Sequence, residues 1–192
     1  MKTICLLVLL TLLAQPGHGQ KVMLTGGYLV VGQRSFPGAP ALGLHALVPV
    51  GQHLVVGVLA TAGYARRQHT LEIYNFGGYR TVSELHNYLF SADALLAYRF
   101  KMTERVGVVV GPTLGYAAVG RREQGTSGKS AAGFWANATY RNILGSRFNL
   151  EAAVHPRVLS LGPQVDDGEL PFSNVNLWVW GVEAGISYGL WK

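Results

Sequence analysis

Cysteine is almost missing from this 192-residue chain, and the one present, Cys5, stands at the very start. No internal disulfide can form, so nothing covalent beyond the backbone holds the fold together. Charge is sparse as well, at 14% of residues against 49% hydrophobic, an oily balance for a surface meant to face water. Long apolar runs are lacking too. Beyond the N-terminus no segment offers the roughly 20 uninterrupted apolar residues that a spanning helix needs, and no window keeps a 3.6-residue period over three turns. A helical membrane protein and a helical bundle are both excluded. The formal net charge of +6 comes from scattered residues without a basic patch or reading motif, so no nucleic-acid partner is expected.

The start, MKTICLLVLLTLLAQPGHGQ, sets Lys2 before an apolar run from Ile4 to Leu13, then places Gly17 and Gly19 at the −3 and −1 positions of a cut before Gln20. That run is about half the length of a spanning helix. Residues 1–19 therefore read as a cleaved secretory signal and residues 20–192 as a single domain. Cys5 leaves with the signal, too early in the apolar run for a lipoprotein attachment site.

What the chain does have is alternation. From Tyr88 every second residue gives Tyr88, Phe90, Ala92, Ala94, Leu96, Tyr98 and Phe100, against Leu89, Ser91, Asp93, Leu95, Ala97 and Arg99. One face is oily and the other mixed and polar, which is the signature of a strand. The same split marks eight segments, roughly 22–34, 41–49, 53–66, 88–100, 105–119, 131–142, 147–158 and 174–190. Short links, PVGQ, KMTE and NILGS, alternate with long polar ones at 67–87, 120–130 and 159–173, and SFPGAP is intermediate. Short turns at one end and long loops at the other predict an all-β, eight-stranded antiparallel up-and-down transmembrane β-barrel. Pro112 and Pro156 fall on the oily set and are expected to mark bulges.

A soluble, lipocalin-like ligand-binding barrel would turn the oily face inward. Two features favour the membrane instead. The set that would then meet water is glycine, alanine and threonine with few charges, and the other set carries an aromatic near most strand ends. Tyr88 and Tyr98 are ten residues apart, as are Trp178 and Tyr188. At ~3.3 Å per residue and a tilt of about 40° this spans roughly 25 Å along the membrane normal, the separation of two aromatic girdles. The girdle residues are Tyr88, Tyr98, Tyr116, Tyr140, Trp178 and Tyr188.

In this architecture the mature chain resembles the small OmpA/OmpX-like outer-membrane β-barrels, the outer membrane protein β-barrel domain families. The resemblance implies a bacterial outer-membrane location, contact with outer-membrane lipid and lipopolysaccharide, and insertion by the outer-membrane assembly machinery. Such proteins end in an alternating strand closing on a terminal aromatic. Here Ile186, Tyr188 and Leu190 keep that phase, while Trp191 and Lys192 follow, so the last aromatic is one residue out of step.

An eight-stranded barrel is just wide enough to be filled by its own side chains. The fillers are His45, Asp93, Arg99, Arg105, Arg141, Arg147, Glu151, His155, Arg157 and Glu183. Of these, Asp93, Arg99, Arg105, Arg141, Arg147, Glu151 and Glu183 are expected to form a charge-paired plug, because unpaired acids in a confined lumen are costly. A register in which paired numbers sum to 334 would set Glu151 opposite Glu183.

Other outer-membrane barrels are lipid A-modifying enzymes, but these need a nucleophile beside a base at the membrane boundary. No serine stands two residues after His155, and no other pairing matches such a motif, so no enzyme activity, catalytic residue, cofactor or metal site is expected. GTSGKS lacks the first glycine of a phosphate-binding loop, and NAT at Asn137 falls on a lumen-facing position. The remaining functional surface is the long loops. The stretch 67–87 alternates on both sides of NFGG, a hairpin turn, and could bind a surface partner along its edges. The loop 120–130 is basic, suited to lipopolysaccharide phosphates, and 159–173 is acidic and a second surface expected to be open to a partner. The expected role is structural or surface-interactive, with a lipid A-modifying enzyme, a narrow solute pore or a soluble ligand-binding barrel as the alternatives.

Overall fold

Alternating residues with few interior prolines form nine antiparallel strands: β1 (Lys21–Val31), β2 (Ala39–Pro49), β3 (Leu54–Ile73), β4 (Tyr79–Lys101), β5 (Val106–Arg121), β6 (Gly125–Ser127), β7 (Ser130–Arg141), β8 (Phe148–Ser160) and β9 (Asn176–Gly189). The computed structural model describes residues 20–31, 38–73, 79–121, 125–127, 130–143, 147–160 and 176–189. Of these, 31, 65–73, 79–87, 119–121, 125–127, 160 and 176–177 are described by backbone alone.

Strands β1 to β5 pair in sequence order, β5 pairs with β7, β7 with β8, β8 with β9 and β9 with β1, so eight strands close into a barrel. The three-residue β6 stands outside that ring, paired only to the loop end of β5. Over their described residues all eight expected segments form strands. Two are longer than expected: β3 and β4 stay paired out to Ile73↔Tyr79, so most of the stretch read as a loop over 67–87 is a two-stranded ribbon. The NFGG turn itself lies outside the described residues.

The expected bulges are absent from the described ladders. Paired numbers across β4 and β5 sum to 208 on both sides of Pro112, from Leu95↔Thr113 to Tyr98↔Val110. Those across β7 and β8 sum to 290 on both sides of Pro156, from Gly133↔Arg157 to Ala136↔Val154. A bulge adds a residue to one strand and would shift that sum. Instead each proline interrupts one ladder, to β4 or to β7, and stays in register with the strand on its other side, as Pro112↔Phe134 and Pro156↔Trp180. The cost is a missing donor, without an inserted residue.

Paired residues followed once round the wall run Val109, Asn137, Ala153, Glu183, Gly27, Ala41, Gly63, Leu89 and return to β5 at Val119, ten residues above the start. A stagger of ten over eight strands tilts them by about 40° from the axis. Gly51 (φ 112°) and Asn142 (φ 62°) supply the left-handed backbone that two of the short turns need.

The wall is inverted relative to a water-soluble barrel. Leu42 and Leu114 are each 68% exposed, and Leu24, Leu44, Leu96, Trp180, Val182 and Ile186 also point outward. Thr25, His45, Asp93, Glu151, Arg157 and Glu183 are buried inside. Tyr98, Tyr116, Tyr140 and Trp178 are exposed on the outer face, and Tyr88 and Tyr188 are half-buried there. Tyr98 packs on Phe100 with ring centroids 4.7 Å apart, and Tyr188 on Phe148 at 5.1 Å, so the turn-end aromatics touch one another in pairs.

Candidate functional site

The lumen holds three polar clusters, each built round one acid. Glu183 on β9 is 3% exposed, and its Oε2 accepts a bond from Thr25 Oγ1 at 2.7 Å and lies 2.6 Å from His45 Nε2. Gly43 makes the space: a Cβ there would stand 2.2 Å from Thr25 Oγ1 and 2.8 Å from Glu183 Oε2. The imidazole of His45 meets Trp135 edge to face, with centroids 6.2 Å apart.

Glu151 on β8 is more completely satisfied. Lys21 Nζ donates to Oε1 at 2.9 Å and Ser187 Oγ at 2.5 Å, while Asn137 Nδ2 and Thr139 Oγ1 each donate to Oε2 at 2.7 Å. Four donors from three strands converge on one carboxylate, which is the arrangement that holds a buried negative charge in place. Asp93 on β4 forms the third cluster. Arg157 Nη1 reaches across the lumen to Asp93 Oδ2 at 3.1 Å and donates also to Ser91. Beside it His155 Nε2 lies 3.0 Å from Thr113 Oγ1.

An apolar layer lies above these clusters at the loop end. Leu29, Ala39, Ala41, Leu89, Ala117, Ala131, Leu159 and Val179 are all buried, and they come from every barrel strand except β3. There Gly63 leaves room for Leu29, whose Cδ1 would stand 2.8 Å from a Cβ at that position. Among the described residues this layer fills the loop end of the lumen, and a cavity opens at the end of the short turns.

The charged residues do not pair as the sequence suggests. Arg105 and Arg147 lie exposed in the turns, where Arg105 bonds Tyr140 and Arg147 Nη1 donates to the Tyr188 hydroxyl at 3.0 Å. Arg99 is half-buried and donates to the Gln52 carbonyl at 2.8 Å, and Arg141 stands half-buried at the turn-end mouth. All four arginines lie at or near the rim, so the mid-height acids take other partners. Those partners are Lys21, His45 and Arg157. The β8–β9 register sums to 336, with Glu151 opposite Gly185 and Glu183 opposite Ala153, so the two acids sit diagonally and belong to different clusters.

Sequence reasoning missed Lys21, Thr25, Asn137, Thr139 and Ser187 as members. Odd positions of β1 share the inward parity of Met23, and that signal would have found Lys21 and Thr25. Thr25 and Glu183 both approach the same nitrogen of His45, and all three side chains are buried, so the contact ties strands together as a packed polar cluster.

No protein-family model matches the chain, and no curated protein matches it. Among solved structures it is similar to Neisserial surface protein A, with 14% sequence identity over 90% of this chain and 97% of that one and a TM-score of 0.62. It is similar also to the outer membrane protein AlkL, whose structure was determined in DMPC lipid bilayers, with 17% identity over 93% of each chain and a TM-score of 0.50. At such identities the likeness is one of fold, and the chain has the closed eight-stranded antiparallel barrel of the small outer-membrane proteins.

Proposed function

We propose that the chain is an integral protein of the bacterial outer membrane, exported by its N-terminal signal, which neither conducts nor catalyses and serves a structural or surface-interactive role. The observation that carries this reading is the sealed, inverted barrel: large apolar side chains ring the outside, charged ones are neutralised inside, and an apolar layer blocks the loop end. Long loops outside and short turns in the periplasm give the orientation. The ribbon formed by β3 and β4 beyond Tyr64 and Tyr88 then stands above the membrane as the surface offered to a partner, and the basic loop over 120–130 faces lipopolysaccharide.

Five measurements test it together. Unboiled protein should migrate faster than boiled on a denaturing gel, and the mature protein should begin at Gln20. Protease added to intact cells should cut within 67–87. Lipid A mass spectra should be the same with and without the protein, and a difference would replace this reading with an enzyme. Protein recovered wholly from the periplasmic fraction would end the membrane reading.

A further inference from the structure

At the turn end the lumen widens into an open-mouthed cavity of about 400 Å³. Leu47, Val55 and Val109 give it an apolar floor, while Lys21, Arg99 and Arg141 bring three cations to it against one lining acid, Glu104. Glu151 neutralises Lys21, and Arg99 is tied to the Gln52 carbonyl. The Arg141 guanidinium meets no hydrogen-bond acceptor among the described residues. It lies against Gly107, where a Cβ would come within 3.1 Å of Nη2, so the glycine leaves the wall bare beneath it.

A guanidinium half-withdrawn from water with its fork unoccupied is built for a carboxylate or phosphate, which it holds through two parallel bonds. A cavity of about this size that sets apolar surface beside convergent polar groups is a form taken by small-molecule sites, and here apolar and polar surface share the lining about equally. A bare inorganic ion would leave the floor unused. We propose that the turn-end mouth of the lumen binds a small organic anion, with Arg141 as its anchor and the floor of Leu47, Val55 and Val109 receiving its apolar body. That this mouth faces the periplasm rests on the orientation given above; the cavity and its charge do not.

The test is a titration of isotope-labelled full-length mature protein in phosphatidylcholine nanodiscs with phenyl phosphate, followed by amide chemical shifts. Saturable shifts are expected at Gly107, Thr139, Arg141 and Gly189. Inorganic phosphate or phenol alone should bind at least about tenfold more weakly, since each supplies half of the recognition. Arg141→Gln and Gly107→Val should each weaken phenyl phosphate by about tenfold, the first by removing the fork and the second by displacing it. Arg147→Gln, outside the cavity, should leave it unchanged. Retained heat-dependent gel migration identifies variants that have folded, and Arg141→Lys, which keeps the charge without the fork, should fall between wild type and Arg141→Gln.

In discs containing phosphatidylglycerol, a titration moved to higher concentration makes the lipid headgroup a competitor for the same site. An unmoved one assigns the site to soluble anions, and both results support it. Absence of saturation, an equal response in folded Arg141→Gln and Gly107→Val, or shifts confined to the exposed rim at Lys101, Arg105 and Arg147 would overturn the proposal. Because the titration uses reconstituted protein, its failure is separate from a failure to find the protein in the outer membrane.

Discussion

Glu183 Oε2 lies 2.6 Å from His45 Nε2, and neither side chain meets solvent. The residues stand on β9 and β2 with β1 between them, and Thr25 of β1 completes the contact. One acid thus ties together three strands, including the pair β1 and β9 that closes the N-terminal strand onto the C-terminal one.

Glu183→Gln keeps the shape and removes the charge, so it should destabilise the barrel by about 2 kcal/mol, the cost of weakening a charged buried hydrogen bond. Urea unfolding in lipid vesicles reads this. A double-mutant cycle with His45→Gln should show non-additivity above about 0.5 kcal/mol; strictly additive effects would mean that the two groups do not support each other.

Arg157 and Asp93 respond asymmetrically to truncation. Arg157→Met strands the Asp93 carboxylate in the lumen and should cost about 3–5 kcal/mol, whereas the double variant with Asp93→Leu should recover most of that loss. Equal stability of the single and double variants would remove the ion pair from the account.

Leu114 and Met102 are almost equally exposed, at 68% and 67%, but Leu114 lies on the wall within β5 and Met102 in a turn. In a bilayer Leu114→Arg should cost about 2–4 kcal/mol and Met102→Arg about 0–1 kcal/mol, because the penalty follows depth in the hydrocarbon. In a water-soluble barrel both would be nearly neutral, so matched unfolding curves decide which solvent the wall meets.

The apolar layer makes its own prediction. Wild-type protein in a planar bilayer should show no steady conductance. Leu29→Ala combined with Leu159→Ala should open the loop end of the lumen and give measurable leak, while Leu42→Ala, on the outer face, should not. A tight double variant would locate the seal elsewhere.

Much of the fold was legible because the parity of a strand is written in its residues. Tyr98 outward and Asp93 inward follow from alternation alone, and loop lengths then give the meander. Register is another matter. A shift of two residues keeps every side chain on its face, so the sums 334 and 336 for β8 and β9 are indistinguishable to a pattern of alternation, yet only 336 separates Glu151 from Glu183. Partners across the lumen depend on register and stagger together. Lys21 reaches Glu151 past the intervening β9, and Arg157 on β8 reaches Asp93 on β4, neither a neighbour in sequence nor in the sheet. The prolines misled for a related reason: the pattern reveals a missing donor but not that one ladder can lose a bond while the strand keeps step.

The apolar layer at the loop end also changes what kind of object the barrel is. On the reading proposed above, the stoppered barrel is a cup and not a tube, filled from the side of the short turns. A difference in solute or acidity between the two faces of the membrane would then fall across that thin lid of leucine, valine and alanine, and the charged groups beneath it would sample a single compartment.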